Sequence, residues 1–183
     1  IILTFGSISP GKGSETIINI VSEMLKLNKN ISFIWAGNVD LKFYKSNKEY
    51  EKILKSKTIF KKRVKIISKL KKKKLFELIN KSSIILLPSL RDNSPNACLE
   101  ALSLKKLIIA RNNSGYNDLI KDKYNGFLFN RNSDFQILDL IKNILEMSKT
   151  EKKNLFKNIN VKNKLFQDQL SVNTYKKYLS QIS

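Results

Sequence analysis

Short apolar runs recur along the chain, each followed by a stretch in which apolar residues return every three or four positions. Residues 1–5 read as a strand closed by Gly6, and residues 13–27 then bring Ile17, Ile18, Val21, Met24 and Leu25 onto one helical face. The alternation continues with a strand at 31–36 ending at Gly37, a lysine-rich helix from 48 to 60, and a strand at 64–67. A helix carrying Leu75, Phe76, Leu78 and Ile79 leads to a fourth strand at 84–87, stopped by Pro88. A helix over 95–104 feeds a fifth strand at 107–110, then a short helix at 116–120, the turn Tyr124-Asn125-Gly126 and a sixth strand at 127–129. Ser133 or Asp134 is placed to cap the next helix, whose apolar positions are Phe135, Ile137, Leu138, Ile141, Ile144 and Leu145. Beyond Thr150 the pattern is helical and polar, with Leu155, Phe156, Ile159, Leu165 and Phe166 as the predicted inward face.

Strands alternating with helices predict an α/β fold: a doubly wound, parallel, six-stranded sheet with helices on both faces and a C-terminal helical tail. In such a sheet the ligand crevice lies beyond the carboxyl ends of the strands. Four loops fall there: Gly6-Ser7-Ile8-Ser9-Pro10-Gly11-Lys12-Gly13, Ser68-Lys69-Leu70, the segment 88–100, and Arg111-Asn112-Asn113-Ser114-Gly115.

The 88–100 segment sets two carboxylates, Asp92 and Glu100, eight positions apart across the start of a helix near Pro95. A helix N-terminus offers free N–H groups and a positive dipole end to an anion, and a carboxylate can accept two hydroxyl hydrogen bonds from a ribose diol. The plainer alternative makes Asp92 a loop cap and Glu100 a solvated helix residue. In the first loop glycines flank Lys12, allowing close backbone approach and a point charge for phosphate. The loop lacks the spacing of a Walker or dinucleotide fingerprint, and a glycine-rich turn with a solvated lysine is its alternative. Cys98 reads as packing and Trp35 as core. Arg111 reads as solvated, with reach toward phosphate as the other option. The lysines 71–74 read as a solvated helix face or a membrane contact.

At 183 residues and 42% hydrophobic content the chain can bury a real core. One cysteine excludes an internal disulfide framework, and without histidine a Cys/His zinc site is out of reach. A reduced, cytoplasmic setting is expected. No apolar run approaches the roughly 20 residues of a membrane span, and nothing at the start resembles a signal peptide. The sequence opens at Ile1, already inside an apolar run, and a piece of a longer protein is expected. The net charge of +20 has three readings: a composition biased to lysine, asparagine and isoleucine, attraction to an anionic membrane surface, or nucleic-acid binding. The last lacks an aromatic-and-basic pattern, so no nucleic-acid partner is expected.

Together these residues resemble the C-terminal, donor-binding half of a GT-B glycosyltransferase, in the large retaining family of group 1 or family 4 type. The similarity spans nearly the full length: Phe5-Gly6, Lys12-Gly13, the strand ending Pro88-Ser89, the Asp92-to-Glu100 spacing, Leu99-Glu100-Ala101-Leu102, Ser114-Gly115 and Asn125-Gly126-Phe127. The resemblance implies a Rossmann-like nucleotide-sugar-binding domain over 1–150, with helices at 151–183 packing on it toward a missing N-terminal domain. It implies Glu100 on the ribose hydroxyls, Asp92 on the donor sugar and Lys12 on the leaving diphosphate beside Gly6 and Ser7. Asn93, Ser94, Pro95, Asn96 and Leu99 would lie along the phosphate or sugar, and Ser68, Lys69 and Leu70 near the base. Three positions depart from the family pattern: Ser7 replaces a diphosphate-clamping arginine, Asp92 is a methylene shorter than glutamate, and Ser68 replaces a glycine.

The implied reaction is retaining transfer from a UDP- or GDP-linked sugar to a glycan or lipid-linked acceptor, in cell-surface polysaccharide or glycolipid synthesis. No cofactor or metal is implied, and the isolated domain is expected to be inactive. A non-catalytic module binding a membrane or protein partner, and a GT-B-like sugar-nucleotide epimerase, are the alternatives.

Overall fold

A computed structural model describes residues 1–7, 9–38, 63–92, 95–130 and 133–159. Among the described residues there are six strands: β1 Ile2–Phe5, β2 Phe33–Ala36, β3 Val64–Ile67, β4 Ile84–Leu87, β5 Leu107–Arg111 and β6 Phe127–Phe129. The described helices are α1 Ser14–Leu27, α2 Lys72–Lys81, α3 Asn96–Ser103, α4 Ser114–Asn117, α5 Gln136–Glu146 and α6 Lys149–Asn158. A single 3-10 turn, Pro10–Lys12, precedes α1. The lysine-rich helix expected at 48–60, and Leu165 and Phe166, lie outside the described residues.

All strands are parallel, in the order β3-β2-β1-β4-β5-β6. The Rossmann-like α/β sheet expected from the alternation is therefore observed, with helices on both faces. Burial on both faces explains why β4 reads as an unbroken apolar run rather than an alternating one. Successive side chains still part to opposite sides. Ile2, Phe33, Trp35, Ile84, Leu86, Leu107 and Ile109 pack with α1, α5 and Leu155 of α6. Leu3, Phe5, Ile34, Ala36, Ile85, Leu87, Ile108 and Ala110 pack with Ile79 of α2 and Cys98 and Leu102 of α3.

Strand order reverses between β1 and β4. The β1–β2 ladder registers four pairs out to Phe5 with Ala36, whereas β1–β4 registers only Ile2 with Ile84 and Leu3 with Ile85. Beyond Leu3 the carboxyl ends of β1 and β4 are free to part, which is where such a sheet opens its crevice.

Several local expectations need correction. Neither Ser133 nor Asp134 caps α5 with its side chain; Phe135 holds the cap position, and the Asp134 carboxylate accepts hydrogen bonds from Thr16 and Arg111. The short helix after β5 covers Ser114–Asn117 rather than 116–120. Phe156, expected inward, is exposed, as are Phe135 and Leu145 among the apolar positions of α5 and the turn before it. For Phe156 the reason is helical phase. Ser148 and Glu151 form a capping box that starts α6, and Leu155 then faces the core while Phe156 lies about 100° further round.

Candidate functional site

The parting of β1 and β4 leaves a cavity of about 290 Å³. Thr4, Phe5, Gly6 and Ser7 form its β1 wall, and Leu87, Pro88, Ser89 and Asp92 its β4 wall. Asn96, Ala97 and Glu100 of α3 close one end, with Tyr116 of α4 beside them; Lys12, Trp35 and Leu75 complete the lining. Asn96 and Ala97 bring the first turn of α3 to this space, and a helix's first N–H groups have no intrahelical acceptor.

Two glycines hold the 88–92 segment at this height. Gly13 takes a left-handed φ of 77°, and a Cβ there would lie 2.2 Å from the Pro88 carbonyl oxygen. A Cβ on Gly115 would lie 1.7 Å from the Asp92 carbonyl oxygen. Hydrogen bonds fasten the same segment: Leu90 N–H donates to the Gly11 carbonyl at 3.0 Å, and Asn113 Nδ2 donates to the Ser89 carbonyl at 3.0 Å. Asn113 Oδ1 meanwhile accepts from the Tyr116 N–H, starting α4.

Arg111 secures the segment from behind. Its Nε donates to the Pro88 carbonyl at 3.0 Å, and its guanidinium reaches Thr16 Oγ1 at 2.5 Å and Asp134 Oδ1 at 3.1 Å. The guanidinium carbon sits 4.9 Å from the Phe129 ring centroid. At 1% exposure Arg111 is not solvated, and it does not line the cavity; both expectations for it are corrected. Asp134 supplies the countercharge that makes burial of the guanidinium tolerable.

Within the cavity Lys12 Nζ and Asp92 Oδ2 pair at 2.9 Å, the lysine half-exposed and the carboxylate largely covered. Tyr116 Oη donates to the same Asp92 oxygen at a longer 3.4 Å. Burial, reinforced by the Asp92 charge, raises the Tyr116 phenol above its ordinary value, with a Ser89 hydrogen bond opposing. Glu100 is 9% exposed and faces the cavity, which excludes the alternative of a solvated helix residue. Cys98 is fully buried, and its thiol is raised by burial and by the Asp92 charge, so it packs rather than reacts.

Of the residues singled out in the sequence, Gly6, Ser7, Lys12, Asp92, Asn96 and Glu100 come together here. Ser68, Lys69, Leu70, Pro95 and Leu99 do not line the cavity. Leu99 is buried in the core and Leu70 packs on that core's edge, while Lys69 donates its N–H to Asn38 Oδ1 in a left-handed turn. Asn93 and Ser94 lie outside the described residues. The sequence reading missed Thr4, Trp35, Leu75, Ser89 and Tyr116. Ser89 and Tyr116 sit in or beside the flagged loops, whereas Trp35 and Leu75 carry only an apolar, core-like signal. Among the described residues no group of three or more acidic or cysteine side chains is placed to hold a metal ion.

Residues 1–160 match the family described as Glycosyl transferases group 1. No curated protein matches the sequence. Among solved structures, Anabaena Alr3699/HepE in complex with UDP superposes with a TM-score of 0.76 at 16% identity, over 99% of this chain and 47% of HepE. The C-terminal domain of LpcC, a group 1 family glycosyl transferase from Francisella tularensis, gives 0.74 at 22% identity, over 86% of this chain and 80% of that one. A TarM variant from S. aureus, in complex with Fondaparinux, alpha-GlcNAc-glycerol and UDP, gives 0.74 at 15% identity over 98% of this chain and 34% of TarM. The chain thus spans about half the length of HepE, and at these identities the likeness carries the fold.

Proposed function

The chain belongs to the group 1 glycosyl transferases, and from that premise we propose that it is the donor-binding half of a GT-B enzyme. That enzyme would move a sugar from a UDP- or GDP-linked donor to a glycan or lipid-linked acceptor with retention at the anomeric carbon, in cell-surface polysaccharide or glycolipid synthesis. The observation that carries the proposal is the convergence of Lys12, Asp92, Glu100 and the first turn of α3 on one cavity at the strand-order reversal. HepE and TarM, which share the fold, were crystallised with UDP, and HepE also with UDP-glucose.

In this scheme Glu100 accepts hydrogen bonds from the ribose diol and Asp92 from a hydroxyl of the donor sugar. Bond breaking develops positive charge on the sugar ring and negative charge on the leaving diphosphate. Lys12 and the free N–H groups of α3 act where the negative charge grows. Acceptor recognition is assigned to an N-terminal domain, without which the chain binds donor but does not turn it over.

Calorimetric titration of the chain with UDP, GDP, UDP-glucose and GDP-mannose at low salt tests this. We expect binding of one nucleotide class, weakened about tenfold or more in Glu100→Ala, since a charged hydrogen-bond acceptor is lost. Absence of nucleotide binding, or equal affinity in the variant, refutes the donor-site assignment.

A further inference from the structure

We propose that the Lys12–Asp92 ion pair biases the cavity toward the intact sugar-bearing donor and against the spent nucleoside diphosphate. The inference rests on reading the cavity as the donor site. Three cavity side chains carry formal charge, and among the described lining residues Lys12 is the one cation, beside Asp92 and Glu100. Ser7 adds no charge to the first loop, and Arg111 is held behind the wall by Asp134. A diphosphate entering the cavity must therefore recruit Lys12, and Lys12 is already held by Asp92 at 2.9 Å.

Removing Lys12 leaves the Asp92 carboxylate, 11% exposed, with the long 3.4 Å contact from Tyr116 and an anion for a neighbour. A covered carboxylate that loses its partner is penalised. The two ligands differ in what they return to it. A nucleoside diphosphate presents phosphate oxygens, which only accept, and Asp92 also only accepts. A donor sugar presents hydroxyls, which donate. The intact donor thus replaces the lost N–H donor with O–H donors, while the product does not. Once the sugar has left, Asp92 competes again for Lys12, which favours product release. Tyr116 acts as the positioning residue, keeping the carboxylate aimed into the cavity while Lys12 is engaged by phosphate.

The test is a double-mutant cycle on the full 183-residue chain, read by calorimetry with UDP and UDP-glucose, and with GDP and GDP-mannose. Asp92→Asn is expected to tighten nucleoside diphosphate binding roughly three- to fivefold, the weight of a partly exposed ion pair. It should also shift the ratio of sugar-nucleotide to nucleotide affinity toward the nucleotide. In a Lys12→Met background the same Asp92→Asn change should no longer tighten binding. The inference is overturned if Asp92→Asn leaves the nucleoside diphosphate affinity unchanged or weaker. Equal tightening with and without Lys12 also overturns it, because general charge repulsion then accounts for the effect. Wild-type protein that binds no nucleotide overturns the donor-site assignment and this inference with it, whereas nucleotide binding with a flat cycle overturns the inference alone. Melting temperatures confirm folding, and Asp92→Ser replaces Asp92→Asn if the latter fails to fold.

Discussion

Arg111 shows how a single side chain far from solvent can set the geometry of a site it does not enter. Its planar fork satisfies the Pro88 carbonyl, Thr16 Oγ1 and Asp134 Oδ1 together, three acceptors on β4's end, α1 and the turn before α5. A lysine has neither the span nor the fixed plane to do this. Arg111→Met is expected to lower unfolding stability by about 2–4 kcal/mol, because Asp134 loses its counterion and the Pro88 carbonyl its donor. Urea denaturation measures the change, and an unshifted midpoint would show that the network is not stabilising. The sequence could not announce this role. An arginine ending an apolar strand looks solvated until its partner 23 positions downstream is brought beside it. Asp92 and Glu100 were readable for the opposite reason, since their fixed separation spans a helix start whose position the flanking proline and apolar run mark locally.

At the level of elements, the 88–92 segment is wedged between the turn before α1 and the start of α4, and both wedges are glycines. In Gly115→Ala the new methyl would sit 1.7 Å from the Asp92 carbonyl oxygen, a backbone atom that cannot swing aside. The segment must shift, carrying the Asp92 side chain away from Lys12 and Tyr116. We expect a nucleotide-sugar affinity reduced about tenfold or more, in keeping with the misplacement penalty of a preorganised site. Calorimetry beside a melting curve reads this, and wild-type affinity in a folded Gly115→Ala protein would refute the wedge. The central strands, β4 above all, were visible in the sequence because strands covered on both faces read as near-continuous apolar runs. Their helices were visible because each covers one face. Details set by tertiary contact were not: Asp134 was drawn from capping to Arg111, and the phase of α6 was decided by Ser148 and Glu151. The segment Ser68-Lys69-Leu70 follows β3, an edge strand of the described sheet, and leads to α2, whose Leu75 reaches the cavity.

Across the whole molecule, 35 basic residues against 15 acidic ones leave +20, and the placement of some of that charge opposes the fold. Lys71 holds the cap position of α2 and Lys72, Lys73 and Lys74 its first turn, with no acidic residue there. Positive charge at the positive end of a helix dipole is unfavourable, so the placement of Lys71 and Lys73 opposes the dipole of α2. Lys74 is partly compensated by Glu77 at 3.1 Å. No described helix is long and apolar enough to cross a membrane. Leu75 in the same turn lines the cavity between β1 and β4, so an anionic bilayer drawn to Lys71 and Lys73 would lie near that cavity. If each lysine contributes about 1 kcal/mol near such a surface, the combined change Lys71→Gln and Lys73→Gln should lower partitioning onto phosphatidylserine-rich vesicles by about tenfold or more. Sedimentation at low salt measures it, with phosphatidylcholine vesicles retaining neither protein. Equal retention of the two proteins would assign the charge to composition alone. Unchanged nucleotide affinity in the substituted protein, measured in parallel, would separate this surface from the cavity it borders.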